Sequence, residues 1–531
     1  MLLNILSPTG RCMDGYLLHG FSLKPPPHAI SHLTDSPQDT TAAMSAAVDE
    51  QSVSQEQRQL SIQRADVPAN ESNKEDNGAA DMATELKPVG NDEPPTNIFN
   101  QGGQNYRTLG RWDTVFVLIT NQVGLGILSL PGCLKVLGVV PGVIAIIGLG
   151  SISAYTAYIL LQFYRRYPHV VNIVDMCRII GGKPLEVVAG LGLLVKVMMT
   201  CASAAVTLSV SFNTLSGHAF CTTIFITIAV IACWILCLPR TVKFVSQSGI
   251  PSTISLLAAA FIVIISLGVS RPTGAPPGWD KEIAVIGNPT FRQGLNACLK
   301  ICYAYAGNIS WVGYMAEMRN PSRDFPVALA CLEVFSITIY TVIAIAIYCL
   351  AGDYTTSPAL GSAPSVAAKA AYGVVLPAVF ATAMAFGHTG IKYMYVVAMR
   401  AMKSTHQVTD RSVKSWGTWF ACVTVYWAIV WVISNAIPIF DSILSISSAT
   451  TIAWFTFGLS AIFWLHLNRG QYFKNWKKGL LTVFNCLLIL QSLFMNAGGL
   501  WSSITQLVDI FNNDSSSVRG AFSCGDNSQV V

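Results

Sequence analysis

The stretch Asn121-Gln-Val-Gly-Leu-Gly-Ile-Leu-Ser-Leu-Pro131 interrupts an apolar segment that runs from about Trp112 to Leu134. That segment has the roughly 20 apolar residues a helix needs to cross the hydrocarbon of a bilayer. Its centre nevertheless carries Gly124 and Gly126, the residue type least committed to helix apart from proline. Hydrocarbon offers no hydrogen bonds to loosened backbone. A break at that depth survives only where it is buried in protein or lines a watery cavity. A second break, Ala304-Tyr-Ala-Gly-Asn-Ile-Ser310, lies in the middle of the sixth apolar segment. The pair constrains the fold more than any other feature of the chain.

The remaining segments set the class. Of 531 residues, 52% are hydrophobic and only 11% charged, against about 25% charged in soluble domains. This is the balance of an all-α polytopic membrane protein and not of a soluble enzyme, and no nucleotide-binding loop or catalytic triad is visible. About eleven transmembrane helices are expected, at 112–134, 137–163, 185–213, 222–238, 250–269, 291–316, 327–350, 372–400, 418–436, 440–466 and 480–501. The connections after the even-numbered spans hold sixteen Lys and Arg, from Arg165 to Lys478. The opposite connections hold five, Lys135, Arg271, Lys281, Arg292 and Lys369. Positive charge marks cytosolic loops, so the N-terminal tail is expected in the cytosol and the C-terminal tail on the other side. The net charge of +5 follows from this topology and implies no nucleic-acid partner.

Three regions result: a tail over 1–105, a transmembrane domain over 106–505, and a short non-cytosolic tail over 506–531. The first is polar, with Pro25-Pro-Pro27 and Asn91-Asp-Glu-Pro-Pro95, and too poor in apolar residues to fold alone. It is read as disordered and cytosolic, with Lys74 and Lys87 as candidate modification sites. Asn70 in this tail and Asn513 beyond the last span begin glycosylation sequons. Most of the 14 cysteines, such as Cys201, Cys233, Cys298, Cys302 and Cys486, fall within apolar spans and read as small packing residues. No Cys/His cluster has zinc spacing, so neither a metal nor a cofactor is implied. Cys221 and Cys524 are candidates for the external side, and the sequence does not pair them.

Unwinding a helix at its middle frees N–H groups on one half and C=O groups on the other. The first suit a carboxylate and the second an ammonium or a cation, so a zwitterion fits such a break. Matching breaks in two halves are also the best sequence pointer to a transporter's binding site. Taken singly, glycines in membrane helices more often serve packing. Tyr303, Tyr305, Trp311 and Tyr314 surround the second break and would shape a pocket for an apolar side chain. In the third span Lys196, Thr200, Ser203, Thr207 and Ser211 recur at steps of three and four, on one helix face. A charge at depth usually faces the bundle interior, which turns Lys196 inward. In the eighth span His388 and Lys392 stand one turn apart, beside Thr389. They read as a proton-coupling or gating pair, set against a packed His and a snorkelling Lys. Lys300 in the sixth span carries the same two readings.

Thr120-Asn-Gln-Val-Gly-Leu-Gly-Ile-Leu-Ser-Leu-Pro131 resembles the first helix of the amino acid/auxin permease family, whose usual form is Gly-Thr-Gly followed by Ile-Leu-Ser-Leu-Pro. Tyr303-Ala-Tyr-Ala-Gly-Asn-Ile-Ser-Trp311, with Glu317-Met-Arg-Asn-Pro321 and Asp324-Phe-Pro326, is similar to the fungal neutral amino-acid permeases of that family. The resemblance covers roughly 107–500. It implies a five-plus-five inverted-repeat transporter fold, with helices 1 and 6 broken and one extra helix. It also implies amino-acid transport coupled to an ion gradient. Leu125 stands where the family often has Thr, which removes a hydroxyl near the ligand. The expected substrate-binding residues are Asn121, Gly124, Leu125, Gly126, Ala304, Tyr305, Gly307, Asn308 and Trp311. The expected ion-coupling residues are His388 and Lys392, with Lys196 in reserve. Fixed positive charge there opposes a bound sodium and favours protons. The expected function is secondary active, proton-coupled transport of neutral amino acids across the plasma membrane. The alternatives are a vacuolar carrier, or a receptor that keeps the fold and signals through its tail.

Overall fold

The computed structural model describes residues 109–240, 243–404, 412–512 and 520–528. The N-terminal tail with Asn70, Lys74 and Lys87, and the sequon at Asn513, lie outside the described residues. Every regular element among those described is a helix. The first span consists of α1 (Arg111–Gln122), a short 3-10 turn (Leu125–Ser129) and α2 (Leu130–Leu137), bent by 43° at the break. Then come α3 (Val139–Arg166), α4 (Ile173–Ser216), α5 (Thr222–Cys237) and α6 (Lys243–Val269). The second broken span is α7 (Phe291–Ala304) with α8 (Asn308–Glu317). It is followed by α9 (Pro321–Ala351), α10 (Ser365–Ala401) and α11 (Val413–Ala436). The tenth span starts as α12 (Phe440–Ser447), widens into π-helix over Ser448–Gly458 and ends as α13 (Leu459–Leu467), and α14 (Trp476–Asn512) follows. Eight of these helices are long and apolar enough to cross a bilayer, nine with the bent first pair. The 16-residue α5 and the α7–α8 pair occupy the other two expected spans.

Two ends differ most from the sequence expectation. α4 begins at Ile173 because Asn172 caps it: its Oδ1 accepts from the Asp175 N–H at 2.9 Å, and the Asp175 carboxylate accepts from Asn172 N–H at 3.3 Å. This leading piece ends at a kink where Gly182 takes φ +62°, two residues before Pro184. At the other end of the chain, α14 continues to Asn512, past the expected 501.

Helix packing falls into two groups. In one, α9 lies along α1, α2 and α3; in the other, α10 lies along α4 and α6, with α11 against α4, α5 and α10. The turn between the first two spans brings backbones too close for a side chain. Gly138 has φ +87° there, and a Cβ would stand 2.3 Å from the Gly287 nitrogen. Large apolar side chains such as Ile265, Val334, Leu480 and Leu490 are exposed on outer faces, as a lipid-facing surface requires.

The described part of the C-terminal tail folds back as a strap. Cys221, ahead of α5, is disulfide-bonded to Cys524. The Phe522 N–H donates to the Asn435 carbonyl at 2.8 Å, and the Phe522 ring meets that of Trp431. Asn527 is buried: its Nδ2 donates to Ser209 Oγ at 2.9 Å, and its Oδ1 accepts from Asn213 Nδ2 at 2.8 Å. The strap therefore ties α4, α5 and α11 together at one end of the bundle. Replacing Cys524 by Ser should loosen it, at a cost of about 2–4 kcal/mol in stability. Thermal unfolding of the purified protein and limited proteolysis of the tail check this. An unchanged midpoint with a protected tail would mean the polar contacts hold the strap unaided.

Candidate functional site

Each break accounts for its own backbone. α1 ends at Gln122, and the Val123 N–H still reaches the Ile119 carbonyl at 2.8 Å. Gly124 then runs extended, at φ −127° and ψ −153°, a conformation that does not itself demand glycine. Beyond it, Ser129 Oγ donates to the Gly126 carbonyl at 2.8 Å. At the second break Tyr305 and Ala306 turn back through bonds to the Cys302 and Tyr303 carbonyls. The Tyr305 carbonyl accepts from Ser153 Oγ of α3 at 3.3 Å, and Asn308 Nδ2 donates to Thr156 Oγ1 at 2.8 Å.

One hydroxyl joins the breaks. Tyr340 of α9 is fully buried, and its O–H lies 2.9 Å from the Gln122 carbonyl and 3.0 Å from that of Ala304. A hydroxyl has a single proton, so it serves the two carbonyls as a shared or alternating donor. The backbones also touch, since a Cβ on Gly126 would stand 2.8 Å from the Ala304 Cα. Gly124 is different: nothing lies within 4 Å of where its Cβ would be. The two glycines thus do separate jobs. Gly126 lets the breaks meet, and Gly124 leaves space.

That space belongs to a cavity of about 640 Å³ between the two helix groups, within the range of small-molecule sites. Asn121, Gln122, Gly124, Leu125 and Gly126 line it from the first break; Tyr303, Ala306, Gly307 and Tyr314 line it from the second. Lys196 and Thr200 of α4, Ile250 of α6 and Ala381, Phe386, His388 and Lys392 of α10 complete the wall. Among its exposed lining residues, Asp113, Phe116 and Glu317 sit at the end where α1 begins and α8 finishes, so the cavity opens there. The starts of α1 and α9 are joined on that side by Arg111, whose Nη2 pairs with Asp324 at 2.7 Å. Beyond the closed end, Lys300 pairs with Asp441 at 2.6 Å, and Ser357 also donates to Asp441. Lys300 therefore bridges α7 to α12 and does not face the cavity.

Of the residues expected at the site, Asn121, Gly124, Leu125, Gly126, Gly307, Lys196, His388 and Lys392 line the cavity. Ala304, Tyr305, Asn308 and Trp311 are buried beside it and do not line it. A Cβ on Gly307 would lie 2.1 Å from the Trp311 ring, so this indole packs on the break from behind. Lys196 is 3% exposed and donates to Thr200 Oγ1 at 2.8 Å, with the Phe386 ring 4.6 Å and the Tyr303 ring 5.5 Å away. Aromatic faces compensate a cation in part. Of the polar stripe on α4, Ser203, Thr207 and Ser211 are buried deeper and do not reach the cavity. His388 stacks near Trp419 at 6.2 Å. Asn121 Nδ2 donates to the Tyr314 hydroxyl at 3.1 Å, while its Oδ1 and the Oε1 of Gln122 are buried without a partner. Such atoms beside an open cavity are acceptors with unused hydrogen-bonding capacity.

Sequence reasoning missed Tyr340 and Glu333 of α9, and gave Gln122 no role. Glu333 carried a signal, because it is the sole acid in the apolar span 327–350. Tyr340 carried none, since a tyrosine in such a span reads as packing.

The chain is similar in sequence to known proteins. Residues 107–505 match the family model described as transmembrane amino acid transporter protein. The chain is 28% identical over 433 residues to the N amino acid transport system protein of Neurospora crassa, covering 80% of this chain and 90% of that one. It is 26% identical over 440 residues to a transmembrane transporter of Fusarium pseudograminearum, covering 81% and 90%. A crystal structure of MhsT in complex with L-phenylalanine aligns over 76% of this chain and 99% of that one, at 16% identity and a TM-score of 0.47.

The separate roles of the two glycines predict opposite outcomes. Gly124→Ala should fold normally and weaken substrate binding, by about tenfold for a methyl in the ligand's space. Gly126→Ala should force the breaks apart and lower stability by about 1–3 kcal/mol. Thermal unfolding and uptake KM, measured on both variants, separate the two effects. Tyr340→Phe should cost about 1–3 kcal/mol, because two buried carbonyls lose their donor.

Proposed function

The chain belongs to the transmembrane amino acid transporter family, and from that premise we propose that it is a secondary active transporter of neutral amino acids, driven by protons. The observation that carries this reading is the cavity at the two breaks, with its cationic and apolar wall. Leu125, Ile250, Tyr303, Ala381 and Phe386 supply apolar surface for an aliphatic or aromatic side chain. The acids on the wall, Asp113 and Glu317, are exposed at the mouth, so the deep part offers no counter-charge to a basic side chain. The first N–H groups of the 3-10 turn at Leu125 have no partner inside that turn and suit the substrate carboxylate. The unpartnered oxygens of Asn121 and Gln122 suit its ammonium.

The same wall favours protons over sodium. A sodium site wants several oxygen ligands in one place, whereas this wall brings Lys196, His388 and Lys392 to the cavity. Orientation rests on two independent supports. The positively charged loops lie on the side of the N-terminal tail, and the Cys221–Cys524 bond belongs to the opposite side, where disulfides persist. The cavity then opens toward the cytosol. This is a carrier caught facing inward, and its N-terminal tail is cytosolic.

Uptake of radiolabelled amino acids into proteoliposomes tests the reading. An inward proton gradient without sodium should drive accumulation of aliphatic and aromatic amino acids, and Lys or Glu should compete poorly. Strict dependence on sodium would refute the coupling. Binding without counterflow exchange would identify a receptor. Separately, a glycan on Asn513 but not on Asn70 should mark the orientation, and glycosylation of Asn70 would reverse it.

A further inference from the structure

Glu333 lies on α9, one residue behind the cavity wall, and is 5% exposed. Among the described residues no Lys, Arg or His nitrogen comes within ion-pair distance of it. Its Oε1 is buried with no hydrogen-bond partner. Its Oε2 has the Ser336 hydroxyl at 3.4 Å, a group that also lies 3.3 Å from the Glu333 carbonyl, and the neutral Gln122 amide is the other side chain that reaches the carboxyl. Ser336 in turn accepts from Gln122 Nε2 at 3.2 Å, and Gln122 lines the cavity. The titratable groups near enough to feel its charge are the hydroxyls of Tyr305, from the second break, and Tyr340, from α9 itself. Neither supplies a positive charge. The other buried charges differ: Lys300 has Asp441, and Lys196 has two rings and a hydroxyl.

A bare carboxylate so placed would cost several kcal/mol. It would also stand on the side of the break where α1 ends, and the C-terminal end of a helix repels negative charge. A protonated carboxyl avoids both costs. We propose that Glu333 is the residue that carries the transported proton, with Ser336 and Gln122 as its link to the cavity. This rests on the proton-coupled reading given above. The proton leaves the carboxyl oxygen for water in the open cavity. The carboxylate left behind draws the Ser336 hydroxyl and the Gln122 amide toward itself. Because Gln122 is the last residue of α1, and its carbonyl is held by Tyr340, this pull acts on the first break. The proton on α9 is thereby coupled to the half-helix that meets the substrate. His388 and Lys392, at the cavity surface, then set local charge and do not carry the proton.

The test uses the full chain in proteoliposomes, with radiolabelled L-leucine and L-phenylalanine as probes. Under an inward proton gradient wild type accumulates substrate, whereas Glu333→Gln should lose that accumulation by about tenfold or more, a coupling of ordinary size. Its remaining counterflow should no longer vary with pH, and substrate-induced proton uptake should vanish. Glu333→Asp should restore part of both. If Glu333→Gln accumulates substrate as wild type does, the assignment fails and proton coupling stands. If wild type itself requires sodium, both fail. Should the variants not insert, infrared difference spectra of wild type decide the matter. A protonated-carboxyl band, shifted in D2O and displaced by Ser336→Ala, supports the assignment, and its absence overturns it.

Discussion

The structure depends on one constraint: loosened backbone inside hydrocarbon must find its hydrogen bonds within the protein. Here the constraint is met by neighbours brought from other spans. Ser153 and Thr156 of α3 hold the second break, and Tyr340 of α9 stands between the two. The helices that supply these groups are therefore bound to the breaks as one packing group. α10, α4 and α6 face them from the other side. The cavity is what remains between a group organised around broken helices and a group of continuous ones.

The buried charges show three solutions to the same cost. Lys300 is neutralised by Asp441 across the closed end, which fastens α7 to α12. Lys196 is shared among a hydroxyl and two aromatic faces at the cavity wall. Glu333 has no counter-charge and no aromatic face: its carboxyl meets only the neutral Ser336 and Gln122 side chains, and its Oε1 is without a hydrogen-bond partner. In a medium where a buried ion without compensation is costly, the three residues differ in how far their charge is compensated. Position along the sequence does not separate them, because all three residues sit in apolar spans.

The strap formed by the C-terminal tail adds a restraint that hydrophobic packing does not supply. It ties α4, α5 and α11 at the end opposite the cavity mouth, through a disulfide and the buried amide of Asn527. The tied helices belong to the continuous group. The broken helices are left outside the strap.

The sequence by itself determined the class, the number and order of the apolar segments, and the two breaks. Each depends on local rules: hydrophobic length, and glycine within a helix that should not contain it. The sequence also turned Lys196 inward, because a charge in lipid has nowhere else to go. It did not separate the roles of Gly124 and Gly126, since both lack a side chain and only the approach of Ala304 distinguishes them. It set Tyr305, Asn308 and Trp311 among the substrate contacts, whereas they are buried behind the break, because the rotation of a helix is fixed by its neighbours and not by its own residues. It left Cys221 and Cys524 unpaired and Lys300 undecided, since their partners lie far away in the chain. Tertiary structure alone decided these, for the same reason in each case: a contact between distant segments leaves no periodic trace in either one.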